Sequence, residues 1–247
     1  MKRLENNVAI ITGGAMGIGK ATAIRFAQEG AMVAIWDVNA DKAKAVVDEI
    51  QNAGGKALFY PVNTMDADQV TAAAAAVQAD FGRIDILINN AGITRDASLK
   101  KMTREQWDLV IGVNLTGVFN CTQAVVPYME ANQYGRIINA SSVVGLTGNF
   151  GQTNYAATKA GVIGMSKVWA REFGRKGITS NAVAPGFIHT EMMDTIPEKV
   201  LENLTSRTPL QRLGTVEELA NTYLFLASSE ASFINGAVIS VDGGLSL

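Results

Sequence analysis

Six short apolar runs separated by five helical stretches dictate what this chain can fold into. The runs lie at 8–12, 32–36, 57–61, 85–89, 136–139 and 178–183, and most lack the polar alternation of a half-solvated strand, as expected for strands buried on both faces. The stretches between them, 20–28, 41–53, 66–81, 104–131 and 155–175, carry helical periodicity. Regular β-α alternation with short connections predicts an α/β fold, a doubly wound parallel sheet with helices on both faces and right-handed crossovers. Residues 1–247 are expected to form a single domain, because 24 Gly against 5 Pro, 48% hydrophobic and 18% charged residues give many turns and no long linker.

The first run, Val8-Ala9-Ile10-Ile11-Thr12, leads into Gly13-Gly14-Ala15-Met16-Gly17-Ile18-Gly19. Glycines between a strand and a helix let backbone amides approach a pyrophosphate at the helix N-terminus. The strict G-x-G-x-x-G spacing is absent; Thr12-Gly13, three residues and Gly17-Ile18-Gly19 stand instead. The second run ends in Asp37, about 20 residues on, where a carboxylate can accept from a ribose 2′-hydroxyl. Parallel sheets bind ligands beyond the carboxyl ends of their strands. There the chain reads Asn90-Ala91-Gly92, Ser141-Ser142-Val143-Val144-Gly145 and Pro185-Gly186-Phe187-Ile188-His189-Thr190. Taken singly, Ser141 and Ser142 read as strand-end caps and Asn114 as a buried structural amide within its helix.

Composition removes several function classes. The formal net charge is −2 with no run of basic residues, so nucleic acid is not an expected partner. One cysteine, Cys121, allows no internal disulfide, fits a reducing compartment and sits among Val118, Phe119 and Val125 as core filler. The start has no apolar secretory core and no window approaches a membrane span, so a cytoplasmic chain without membrane attachment is expected. With one histidine, His189, and no Cys/His cluster, neither a metal site nor a His-based triad is expected.

Tyr155 and Lys159 stand four apart near the start of a helix, so both can face one space. A nearby ammonium favours the phenolate and makes a tyrosine a workable general acid or base. Together, Thr12-Gly13, Gly17-Ile18-Gly19, Asn89-Asn90-Ala91-Gly92, Asn114, Ser142, Tyr155, Lys159 and Pro185-Gly186 resemble the short-chain dehydrogenase/reductase family across the whole chain. Within it the chain is similar to the 3-oxoacyl-[acyl-carrier-protein] and acetoacetyl-CoA reductases, through Gly92-Ile93-Thr94-Arg95-Asp96, Val113–Phe119, Gly148–Gln152 and Val183–Ile188.

The resemblance implies a Rossmann sheet of about seven strands, its last strand reaching Val241-Asp242-Gly243-Gly244. It also implies a catalytic set of Asn114, Ser142, Tyr155 and Lys159. Tyr155 would protonate the carbonyl oxygen, Ser142 hydrogen-bond it, Lys159 lower the phenol pKa and hold the nicotinamide ribose, and Asn114 keep a water beside the lysine. Gly13, Met16, Gly17, Ile18, Gly19, Asp37, Asn63, Thr64 and Asn90 would hold the adenosine half of a dinucleotide. Pro185, Gly186, Ile188 and Thr190 would hold its nicotinamide half, with Tyr155 and Lys159. Asp37 and the uncharged Met16 favour NAD(H) over NADP(H), with Lys42 the one cation able to offset this. The implied substrate is a carrier-protein or CoA thioester in fatty acid biosynthesis, with a steroid, sugar or polyol dehydrogenase or a non-catalytic dinucleotide-binding regulator as alternatives. Segment 190–212, interrupted by Pro197 and Pro209, reads as a substrate lid whose Met192, Met193, Ile196, Val200 and Leu204 suit an acyl group. A homotetramer is implied, supported by Trp107, Val110, Val118, Val125, Val162, Met165 and Trp169 on more than one helix face. Carrier-protein reductases usually carry cations near the end of the 104–131 helix, but here Glu130-Ala131-Asn132-Gln133 leaves only Arg136, Arg171, Arg175 and Lys176 to attract an acidic partner.

Overall fold

A computed structural model describes residues 2–190 and 198–246, the Val200 side chain excepted. Seven parallel strands form one sheet: β1 (Val8–Thr12), β2 (Met32–Asp37), β3 (Lys56–Pro61), β4 (Ile86–Asn89), β5 (Gly135–Ala140), β6 (Ile178–Pro185) and β7 (Val238–Val241). Their order is β3-β2-β1-β4-β5-β6-β7, in parallel register throughout. Strand order reverses between β1 and β4, and a crevice opens beyond their carboxyl ends.

The helices are α1 (Gly17–Gln28), α2 (Ala40–Asn52), α3 (Ala67–Phe81), α4 (Arg104–Ile111), α5 (Gly117–Asn132), α6 (Val144–Thr147), α7 (Thr153–Phe173), α8 (Glu198–Arg207) and α9 (Val216–Ala227). Because strand side chains alternate, each strand feeds two cores. Ile11, Ile35 and Ile88 pack with Phe26 of α1 and Leu219 and Leu224 of α9 on one face. Ile10, Leu87 and Ile137 pack with Val77 of α3, Val125 and Met129 of α5 and Val162 of α7 on the other. Cys121 is fully buried in this second core, and burial raises its thiol pKa to about 12, as a packing residue requires.

Several expected bounds change. The 104–131 helix is two helices joined by a π-helical turn at Gly112–Thr116. Its apolar pattern runs on across the break, so periodicity could not reveal it. α7 begins at Thr153 rather than 155 and ends in a 3-10 turn at Gly174–Lys176. α9, not anticipated, is announced by a capping box between Thr215 and Glu218. Poor helical periodicity was expected over 190–212, yet α8 forms there. Met192, Met193, Ile196 and Pro197, and the side chain of Val200, lie outside the described residues. Of the residues expected to supply spare apolar surface, Val110, Val118, Val125, Val162 and Trp169 are buried within the chain's own core. Leu109, Phe119 and Val168 are the large apolar side chains left exposed on those helices.

Candidate active site

The glycine loop closes the carboxyl end of β1. Gly13 turns there with φ 64°, and a Cβ on Gly19 would stand 2.0 Å from the Gly13 carbonyl oxygen. Only glycine permits that approach. α2, α3, α4 and α9 begin with side-chain caps, whereas α1, like α5, α6 and α7, has none. Its first-turn N–H groups are left for an anion. Asp37, at the end of β2, is held by two backbone donors, Ala15 N to Oδ2 at 3.0 Å and Asn39 N to Oδ1 at 2.9 Å. On the β4 side the Thr12 hydroxyl accepts from Asn90 N and Ala91 N, each at 3.0 Å. The Asn90 amide returns to Thr12 O and Gly13 O.

A cleft of about 600 Å³ lies over this floor, lined by Gly13, Met16, Gly17, Ile18, Asp37, Asn63, Thr64, Asn90 and Thr190 of the expected binding set. Gly19 lies beneath it as packing. Pro185 accepts from Val143 N, and Gly186 packs so tightly that its Cβ would stand 2.7 Å from Asp242 Cα. Ile188 bridges to Gly214. Ile188 lines a separate cavity of about 720 Å³ with Phe187 and Asp242, and Pro185, Gly186 and Ile188, like Tyr155 and Lys159 of the expected binding set, are not among the residues lining the cleft.

The two adjacent serines separate cleanly. Ser141 Oγ donates to the Lys159 carbonyl at 2.8 Å and anchors α7. Ser142 Oγ accepts from Val144 N at 3.1 Å and donates toward the Tyr155 phenol oxygen. Lys159 is 4% exposed, donates from Nζ to the Ala140 carbonyl at 2.6 Å and lies 5.5 Å from the Tyr155 ring centre. Burial brings its pKa down to about 8. The Tyr155 phenol departs from expectation: its pKa is raised, because burial outweighs the opposing hydrogen bond from Ser142.

Asn114 sits on the π-helical turn, fully buried. Its Oδ1 accepts from Ile93 N and its Nδ2 donates to Ile93 O, each at 2.8 Å. A methyl at Gly92 would lie 3.4 Å from Asn114 Oδ1 and 3.5 Å from Lys159 Nζ, so the two side chains face one space. Asn154 was missed by the sequence reading. Fully buried, it accepts from Tyr155 N at 2.8 Å and donates to the carbonyls of Arg95 at 3.0 Å and Gln106 at 3.2 Å. A lone amide in the alanine-rich start of α7 was the available signal.

A family model described as Enoyl-(Acyl carrier protein) reductase matches residues 13–246. The 3-oxoacyl-[acyl-carrier-protein] reductase FabG of Thermotoga maritima is 55% identical over 98% of this chain and 99% of its own. This chain belongs to the short-chain dehydrogenase/reductase family. A second relative, the (2S)-[(R)-hydroxy(phenyl)methyl]succinyl-CoA dehydrogenase subunit BbsD of Thauera aromatica, is 48% identical over 99% of this chain and 98% of its own. The crystal structure of levodione reductase superposes with a TM-score of 0.95 at 36% identity, covering 99% of each chain. As a short-chain dehydrogenase/reductase the chain is an oxidoreductase that uses a nicotinamide dinucleotide. The glycine floor, the uncapped α1 and the Asp37 carboxylate beside the cleft fit that group.

Proposed function

We propose that residues 1–247 act as one unit that reduces a 3-oxoacyl thioester to the 3-hydroxyacyl thioester with NADH. The observation carrying this reading is the meeting of Ser142, Tyr155 and Lys159 at the carboxyl end of β5, beside a cleft floored by glycines and ended by Asp37. The relatives named for 3-oxoacyl carrier-protein reduction and for an acyl-CoA dehydrogenase supply the thioester class. The approach to Tyr155 suits an acyl chain: Phe150 is 89% exposed and Leu99 75%.

A nicotinamide held in this cleft would supply the hydride that reduces the carbonyl carbon. Negative charge then develops on the carbonyl oxygen, where Ser142 donates a hydrogen bond and Tyr155 gives up its proton. Lys159, buried and cationic below its pKa of about 8, stabilises the phenolate left behind. Asn114 and Lys159 bound a space over Gly92 that suits a water able to return the proton. A reverse reaction, oxidising a 3-hydroxyacyl thioester, uses the same groups, and the dehydrogenase relative favours it as a second direction.

Among acetoacetyl-carrier protein, acetoacetyl-CoA, a steroid ketone and a sugar ketone, followed by NADH absorbance, the thioesters should turn over fastest. Two inert thioesters beside a rapidly reduced ketone would refute the acyl reading. We also assign the chain to the cytoplasm and to a homotetramer. Leu109, Phe119 and Val168, exposed on α4, α5 and α7, fit burial against a second copy. Light scattering at micromolar concentration should give four times the 26.2 kDa chain mass; a monomer would end this assignment.

A further inference from the structure

Three basic residues, Arg95, Lys100 and Lys101, stand in the connection between β4 and α4 against one carboxylate, Asp96, and Arg104 and Glu105 open α4 just beyond it, in a chain of formal charge −2. Two of these groups are committed elsewhere. Arg104 pairs with Asp108 at 3.1 Å, and Asp96 accepts from Gln152 at 2.9 Å. Lys100 and Lys101 are exposed and, among the described residues, make no side-chain hydrogen bond or ion pair. They stand at the tip of a turn closed by Lys101 N and Met102 N, which donate to Ser98 O at 2.8 and 2.9 Å.

The base of that turn is fixed to the approach to Tyr155. Ala97 N donates to Gly151 O at 2.9 Å, and Asn154 holds the Arg95 carbonyl. Lys100 is three residues from Ala97, about 10 Å of chain at most. Two unpaired ammonium groups therefore stand at the outer rim of the path along which a substrate reaches the phenol.

We propose that Lys100 and Lys101 seat the phosphates at the nucleotide end of a coenzyme A thioester, an inference that rests on the thioester reading above. A 3-oxoacyl group lodged at Tyr155 must trail its thiol handle outward. On coenzyme A that handle ends in a pyrophosphate and a 3′-phosphate, a compact cluster of negative charge matched by two adjacent cations. A carrier protein presents a broad acidic surface instead, and the cations that resemblance to carrier-protein reductases implies near the end of α5 are replaced by Glu130-Ala131-Asn132-Gln133, with Arg136, Arg171, Arg175 and Lys176 remaining nearby in sequence.

The test compares acetoacetyl-CoA with acetoacetyl-pantetheine, which has the same acyl group and arm but no nucleotide, using the full-length enzyme and NADH. Wild type should favour the CoA thioester, and Lys100→Gln with Lys101→Gln should lose about tenfold in kcat/KM on it, through KM. Activity on the pantetheine thioester should be unchanged. Raising the salt should remove the wild-type preference, and Lys100→Arg with Lys101→Arg should restore it at low salt. Equal wild-type use of both thioesters, or equal losses on both in the glutamine variant, overturns the proposal. So does acetoacetyl-carrier protein outcompeting acetoacetyl-CoA with the same lysine dependence. Inertness of every thioester while a simple ketone is reduced overturns the thioester reading and the proposal together.

Discussion

Replacing Tyr155 by phenylalanine should lower turnover about 10²- to 10⁴-fold, the usual worth of a positioned general acid, and leave NADH affinity nearly unchanged. The ring stays packed and only the transferable proton goes. Neither neighbour can take over. Ser142 is tied to Val144 N and has no acidic proton near neutrality. Lys159 points its ammonium at the Ala140 carbonyl. The raised pKa of the Tyr155 phenol strengthens the expectation. The group is protonated throughout the neutral range, as a proton donor for reduction has to be. Fluorescence titration with NADH separates binding from turnover, and a variant with comparable kcat would remove Tyr155 from the role.

The second large effect concerns the cofactor. NADH should be preferred over NADPH by about a hundredfold or more in kcat/KM, about 3 kcal/mol, because Asp37 would meet a 2′-phosphate with like charge. The carboxylate cannot easily turn away, since Ala15 N and Asn39 N hold one oxygen each. Lys20 is paired with Glu49 at 3.0 Å and the loop position before Gly17 is Met16, which leaves Lys42, exposed on the first turn of α2, as the one cation that could offset the repulsion. Asp37→Ala should narrow the gap from both sides. It removes the repulsion and frees two amides that a phosphate oxygen can use. Equal kcat/KM for the two wild-type cofactors would refute the assignment.

Much of this was legible before the structure because strands buried on both faces are written in uninterrupted apolar runs. The residues that follow them then fall at the crevice by topology alone. Asp37, Asn90 and Thr190 reached the cleft on that logic. What sequence could not show was competition between local patterns. The apolar stripe over 104–131 continues through the π-helical turn that places Asn114, so no break in periodicity betrays it. The Tyr155 and Lys159 spacing gave their shared face correctly, but the sign of the phenol shift depends on how much water the fold excludes. Ser141 and Ser142 are alike as residues and only the family resemblance singled out Ser142; the chain leaving β5 sends Ser141 to the α7 backbone and Ser142 to the phenol.

Asn154 has a consequence for how this enzyme could evolve. One amide fastens the loop at Arg95, the helix α4 at Gln106 and the backbone of Tyr155 to a single point. That side of the entrance is a fixed jaw, cast in one piece with the proton donor. A bulkier acyl group cannot be admitted by pushing the jaw aside without misaligning the phenol, so selection for new substrates has to work by trimming side chains along it, with Phe150 and Leu99 the first available to carve.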